Sequence, residues 1–121
     1  MKAARILLVD DEPALTEVLS RAFASKGHRA DSADSAEAAE RALDGAVYDL
    51  VLLDHVLPGA TGMQALGSLR AKTKAPIHLM SGYTDDDTRR DAELLGATGF
   101  LPKPIDVAVV LALAAALPER A

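Results

Sequence analysis

Short apolar runs alternate along the chain with longer stretches whose apolar residues recur at helical spacing. This is the pattern of strand–helix units around a parallel sheet. Ile6-Leu7-Leu8-Val9 is continuously apolar, as expected of a strand covered on both faces. From Pro13 to Lys26, Leu15, Val18, Leu19, Ala22 and Phe23 mark one helical face. Pro13 suits a first turn and Gly27 the position just past the end. His28 to Ser32 reads as a polar second strand, and Asp34 followed by Glu37 resembles a capping box for a helix through Leu43 to Gly45. Asp49 to Asp54 is the clearest central strand. The turn Pro58-Gly59-Ala60-Thr61-Gly62 leads into a third helix using Met63, Leu66 and Leu69.

Pro76 to Met80 is a fourth strand, and Thr84 to Leu95 a strongly charged fourth helix. Asp85 with Arg89 and Asp86 with Arg90 are spaced as i,i+4 pairs on it. Its few apolar anchors, Ala92, Leu94 and Leu95, predict a mobile element. Gly99-Phe100-Leu101 is a short fifth strand, placed at a sheet edge because Pro102 cannot donate to a ladder. Asp106 to Leu117 closes the chain as a helix with a core stripe of Val107, Val110, Leu111, Ala114 and Leu117. Val109 and Leu113 lie off that stripe, and surplus apolar surface there suggests a protein interface. Five strands and five helices in alternation give an α/β fold with a doubly wound parallel sheet. In such sheets reactive residues gather at the carboxyl ends of the strands.

Composition narrows the choice. The 121 residues make one domain, 1–121. Half are hydrophobic and 26% are charged, as in ordinary soluble globular proteins. No cysteine is present, which rules out disulfides and thiolate metal sites and suits a reducing, cytoplasmic setting. A net charge of −5 without a basic run disfavours direct binding to nucleic acid. The first residues lack the long apolar stretch of a signal peptide, and the last helix is too short to span a bilayer, so no membrane association is expected.

The strand ends carry the chemistry. Strand one ends in Asp10-Asp11, strand three in Asp54, strand four in Ser81 and strand five in Lys103. Three crowded carboxylates need a counter-charge, and Mg²⁺ fits because it takes oxygen ligands and keeps exchangeable waters. An aspartate can act as nucleophile towards phosphorus, giving an acyl phosphate. Lys103 offers an ammonium and Ser81 a hydroxyl to the equatorial oxygens.

Ile6-Leu7-Leu8-Val9-Asp10-Asp11-Glu12, Leu52-Leu53-Asp54 with Leu57-Pro58 and Gly62, Met80-Ser81-Gly82, and Gly99-Phe100-Leu101-Pro102-Lys103-Pro104 together resemble the receiver domain of two-component response regulators. The resemblance spans nearly the whole chain. It implies a CheY-like, flavodoxin-like strand order 2-1-3-4-5. It also implies phosphorelay signalling, with Asp54 accepting a phosphoryl group from a phosphohistidine on a sensor kinase or histidine phosphotransfer protein. A metal, Mg²⁺ with Mn²⁺ as substitute, would be held by Asp10 or Asp11, Asp54 and the backbone carbonyl of Val56. Asp11 is favoured as direct ligand, with Asp10 binding directly or through water. Lys103 would pair with the phosphorylated aspartate, Ser81 would move towards it, and Phe100 would change rotamer as the switch aromatic. The Lys103-Pro104 bond would be cis, aiming the lysine inward. The surface of helix four, strand five and helix five would serve a downstream protein or a homodimer.

Ser81 stands where threonine is commoner and Phe100 where tyrosine is frequent, which leaves the size of the response open. Val56 and Tyr83 occupy positions that tune phosphoryl lifetime through water access; autodephosphorylation of Val56→Asn and Tyr83→Ala tests this, and unchanged lifetimes refute it. Plainer readings exist for each group. Asp10-Asp11 suits a helix N-terminus, Asp54 a turn, Ser81-Gly82 a turn and Lys103 a solvated surface. His55 adjoins Asp54, but successive strand residues point to opposite sides, so it need not face the metal; His28 and His78 show no ligand spacing, and all three histidines read as structural or surface residues. An aspartate-nucleophile phosphatase would want a second acid where Val56 stands. A flavodoxin-like carrier would not place acids where a flavin phosphate must bind, and a phosphorylation-independent interaction module would not need the full acidic and lysine set. The domain is thus expected to be an acceptor rather than a turnover enzyme. With no output domain after Leu117, it is expected to act alone or as a receiver cut from a longer protein.

Overall fold

The computed structural model describes residues 3–82 and 85–118. The elements run β1 (Arg5–Val9), α1 (Pro13–Ser25), β2 (Arg29–Ala33), α2 (Ala36–Gly45), β3 (Leu50–Asp54), β4 (Val56–Leu57), β5 (Ala60–Thr61), α3 (Gly62–Arg70), β6 (Ile77–Ser81), α4 (Asp86–Leu94), β7 (Gly99–Pro102) and α5 (Val107–Ala115). Five strands form one parallel sheet in the order β2-β1-β3-β6-β7. This is the flavodoxin-like order; β4 and β5 are a separate antiparallel hairpin inside the β3–α3 connection.

Strand alternation splits the core into two layers. Leu7, Val9, Val51, Leu53, Ile77 and Leu79 face one side, covered by α2, α3 and α4 through Leu43, Leu66, Leu69 and Ala92. Ile6, Leu8, Leu50, Leu52 and Met80 face the other, covered by α1 and α5 through Leu19, Phe23, Val110 and Ala114. Each fully buried leucine contributes about 1.5–3 kcal/mol, so the central strands anchor everything built at their ends. The edge position of β7 agrees with Pro102 in its last place.

Local chemistry departs from expectation at several points. The α2 cap is Ser35, whose hydroxyl accepts from the Ala38 N–H at 3.1 Å, rather than Asp34. Thr61 and Gln64 form a reciprocal capping box at the start of α3. Gly59, at φ 73°, turns the chain between β4 and β5, where a side chain would be strained. Val18 is 53% exposed, so the buried face of α1 is Leu19 and Phe23, with Leu15 packed beside them. On α5, Leu113 packs partly against the core, whereas Val109 stays exposed.

The charged α4 is held more sparely than its sequence suggests, since only Ala92 is buried while Leu94 and Leu95 are exposed. Its expected i,i+4 pairs are replaced. Asp85 caps the helix by accepting from the Thr88 N–H at 2.8 Å, Arg90 reaches Asp87 at 3.7 Å, and the Arg89 guanidinium lies 5.3 Å from the Phe100 ring centroid. Charge at a cap and a ring face within reach outcompete solvated pairs worth a few tenths of a kcal/mol.

Candidate functional site

Strand register assembles the site. Val9 pairs with Leu53, so Asp10 and Asp54 follow side by side. Asp54 pairs with Met80 and Ser81 with Pro102, which sets Ser81 and Lys103 next in line. The backbone past the strand ends is tied down as well. The Asp10 N–H donates to the Ala33 carbonyl (3.0 Å), the His55 N–H to Met80 (2.9 Å) and the Lys103 N–H to Ser81 (2.9 Å). Asp11, Glu12, Asp54, His55, Val56, Ser81, Gly82 and Lys103 line a cleft of about 200 Å³.

Lys103 is the cation of this cleft. Its Nζ lies 3.0 Å from Asp54 Oδ1, 3.2 Å from Glu12 Oε1 and 3.8 Å from Asp10 Oδ2. Burial works against its charge, but the hydrogen bond to Asp54 and the fields of Asp54 and Asp10 outweigh it and raise its pKa. Asp54 and Asp10 are buried, and Ser81 is fully so. Asp10 Oδ1 accepts from the Glu12 N–H at 2.9 Å, while Oδ2 is buried with no hydrogen-bond partner. Burial, and beyond it the Asp54 charge, push Asp10 up to about 6 although the Glu12 amide and Lys103 pull the other way. Carboxylate oxygens of Asp10, Glu12 and Asp54 lie within 4.8 Å of one another. A buried carboxylate oxygen without a hydrogen bond inside such an all-oxygen cluster fits a hard divalent cation.

A family model described as the response regulator receiver domain matches residues 6–115. The chain belongs to that family. It is 39% identical over 120 residues to the transcriptional activator protein PfeR of Pseudomonas aeruginosa, covering 96% of this chain and 38% of that protein. It is 36% identical over 121 residues to the transcriptional regulatory protein TcrA of Mycobacterium tuberculosis, covering 99% of this chain and 48% of that one. The chain thus spans less than half the length of these relatives. A two-component response regulator from Clostridium difficile superposes with a TM-score of 0.89 at 26% identity over 93% of each chain. The BeF3-activated N-terminal receiver domain of RstA from Klebsiella pneumoniae superposes at 0.83 with 27% identity, over 92% of this chain and 95% of that one.

The receiver brings Asp10, Asp54, Ser81 and Lys103 into one site. Asp11 is exposed and shares the cleft, and Val56 is 65% exposed at its mouth with its N–H donating to Asp54 Oδ1 at 3.3 Å. The Lys103-Pro104 peptide is cis. Phe100 is half-buried beside the α2–α4 core layer. Tyr83 lies outside the described residues. Two residues enter that sequence reasoning missed. Glu12 joins the acidic cluster and binds Lys103. His55 reaches Ser81, its Nδ1 lying 2.7 Å from Oγ. Alternation argued for a different side, but β3 ends at Asp54 and the rule ends with it. The other two histidines are structural. Buried His28 accepts the Ala4 N–H at 3.0 Å, and His78 packs against Gly99, its pKa lowered by burial. Among the described residues no helix is long and apolar enough to cross a membrane.

Proposed function

We propose that this receiver takes a phosphoryl group onto Asp54 from a phosphohistidine of a sensor kinase or phosphotransfer protein, with Mg²⁺ or Mn²⁺ required. The observation that carries the reading is Asp54 buried at a strand end with the Lys103 ammonium 3.0 Å away, beside an Asp10 oxygen that has no hydrogen-bond partner. Lys103 and the Val56 amide both engage Asp54 Oδ1. That arrangement favours Oδ2 as the attacking oxygen. A carboxylate oxygen forms the new O–P bond, the P–N bond of the donor breaks, and the leaving imidazole takes the electron pair and then a proton. Lys103 screens the added charge, and Ser81 lies in the same cleft to donate to a phosphoryl oxygen. Asp10, Glu12 and Asp54 would hold the cation, with Asp11 and the Val56 carbonyl completing the set. Bound there, it supplies charge neutralisation for the phosphoryl oxygens.

The acyl phosphate would shift the population towards a state with Ser81 and Phe100 turned inward, changing the α4–β7–α5 surface. Exposed Leu94, Leu95 and Val109 on that surface support a downstream protein or a second copy as the reader, rather than nucleic acid. The same reading makes the domain a cytoplasmic phosphoacceptor and not a turnover enzyme. Val56 at the cleft mouth would govern water access and so phosphoryl lifetime.

Labelling with acetyl phosphate, with and without Mg²⁺, tests the proposal. Metal-dependent, hydroxylamine-labile labelling lost in Asp54→Asn is expected. No labelling under any condition would overturn it and favour a phosphate-independent interaction module.

A further inference from the structure

Ser81 is the hydroxyl this reading asks to turn towards the phosphoryl group, and it already has a partner. Its Oγ lies 2.7 Å from His55 Nδ1, a short hydrogen bond whichever of the two carries the proton. Ser81 itself is buried, with a relative exposure of 1%, and it lines the cleft together with His55.

His55 cannot easily retreat from this contact. Its N–H donates to the Met80 carbonyl at 2.9 Å, and its carbonyl accepts from the Gly62 N–H at 2.6 Å. The residue is thus pinned between the end of β6 and the start of α3, one position after the proposed acceptor. The residue lines both the acidic cleft and a neighbouring cavity of about 460 Å³, which Val56, Leu57, Gly59 and Gln64 also line.

We propose that His55 is a positioning residue of the switch: its imidazole holds the Ser81 hydroxyl in the unphosphorylated receiver, and the acyl phosphate must compete for that hydroxyl. The inference rests on the receiver reading above and deepens it. Without His55, Ser81 would lose this hold, and the resting population would lie closer to the activated state. A hydrogen bond of ordinary net worth corresponds to roughly a 3- to 10-fold shift in that equilibrium. The conformational change at Ser81 would reach β7 directly, because the Lys103 N–H donates to the Ser81 carbonyl.

The test uses the 121-residue protein and beryllofluoride with Mg²⁺ as the probe, read by ¹H–¹⁵N NMR. His55→Phe keeps a ring and removes the hydrogen bond. It is expected to bind beryllofluoride about 3- to 10-fold more tightly, with the free-state amide signals of Ser81 and Phe100 moved towards their bound positions. His55→Asn, which returns a polar group near the Nδ1 position, should restore the wild-type values. In a Ser81→Ala background the His55→Phe effect should vanish. The imidazole ¹⁵Nδ1 shift in wild type against Ser81→Ala reads the bond without any substitution at His55, so a poorly folding His55 variant leaves the inference open to refutation.

A wild type that responds to beryllofluoride beside a His55→Phe protein of equal affinity and unmoved free-state signals overturns the inference and leaves the receiver reading standing. An equal His55→Phe effect with and without the Ser81 hydroxyl, or an ¹⁵Nδ1 shift indifferent to Ser81→Ala, overturns it too. A wild type that takes neither beryllofluoride nor phosphate overturns both.

Discussion

Gly62 and Gly67 lie on the same helix, α3, yet alanine should have opposite effects at the two positions. Gly62 opens the helix directly behind the end of β3. A Cβ there would collide with the Asp54 carbonyl oxygen, lie 2.6 Å from His55 Cα and 3.0 Å from Leu79 Cδ1. Two of those three neighbours are backbone, held by β3 and by the Gly62 N–H bond to the His55 carbonyl, so they cannot swing aside. Overpacking of this kind costs about 1–3 kcal/mol, and the upper half of that range applies where the obstruction is main chain. Reduced freedom of the unfolded chain returns about 0.4–1 kcal/mol. The net expectation for Gly62→Ala is a loss of about 1–2 kcal/mol, or roughly 4–8 °C in Tm for a domain of this size. At Gly67 an added Cβ meets nothing within 4 Å, so Gly67→Ala should gain about 0.5–1 kcal/mol from propensity alone. Urea unfolding followed by circular dichroism measures both, with m unchanged if only the native state is strained. Because the Gly62 strain falls on Asp54 and His55, phosphate labelling should slow in Gly62→Ala and not in Gly67→Ala. Equal stability changes at the two positions would refute the steric reasoning.

Three further expectations concern charge. Mg²⁺ at tenfold its dissociation constant should stabilise the wild type by about 1.4 kcal/mol, measured as a Tm rise reversed by chelation. Asp10→Asn should abolish that response and, by removing a buried charge while keeping an acceptor for the Glu12 amide, make the metal-free protein about 1–3 kcal/mol more stable at neutral pH; a less stable variant would contradict the assignment of Asp10 as a strained carboxylate. On β2, opposite Leu7, Asp31 is desolvated, yet hydrogen bonds from Tyr48 at 2.7 Å and Arg5 at 2.9 Å outweigh that and depress its pKa. Its contribution is therefore full above the ordinary aspartate range and is lost as pH falls through the depressed value. Asp31→Asn should cost about 1–2 kcal/mol at neutral pH and flatten the acid limb of a stability–pH curve, and an unchanged limb would remove Asp31 from the account.

The layered fold was legible because it rests on long-range regularities. Central strands covered on both faces read as apolar runs, and five strands separated by helical periods leave few topologies. The buried acid–lysine core of the site was legible for the same reason, since parallel register turns "the residue after the strand" into a spatial neighbourhood. What escaped lies where several local chemistries compete. Asp34 and Ser35 are both good caps, and only the path of the chain selects Ser35. The β4–β5 hairpin has two residues per strand, too few for a period. Glu12 was visible as a residue but not as a partner of Lys103, because its reach depends on how the first turn of α1 leaves the sheet. The anchors of α4 were misjudged because periodicity cannot say which apolar residues of a lightly held helix actually meet the core; Ala92 does, while Leu94 stays out.

The charges in the cleft explain why one lysine does not close it. Asp10, Glu12 and Asp54 surround the single ammonium of Lys103, and Asp11 adds a fourth carboxyl group at the cleft, so acidic groups are in excess. A dication would neutralise that excess, and a phosphoryl group could then approach without meeting bare carboxylates. Lys103 is held by Glu12 at 3.2 Å and Asp54 at 3.0 Å, holds that on the proposed reading would shift towards an added phosphoryl group. Ser81 and Phe100 are restrained in the same manner, the first by His55 and the second by Arg89 over its ring. Each restraint is a contact of modest worth, and on the proposed reading an acyl phosphate on Asp54 would have to outbid it. Under that reading the domain would rest in one state because several weak holds agree, and would leave it when one strong charge pulls on all of them together.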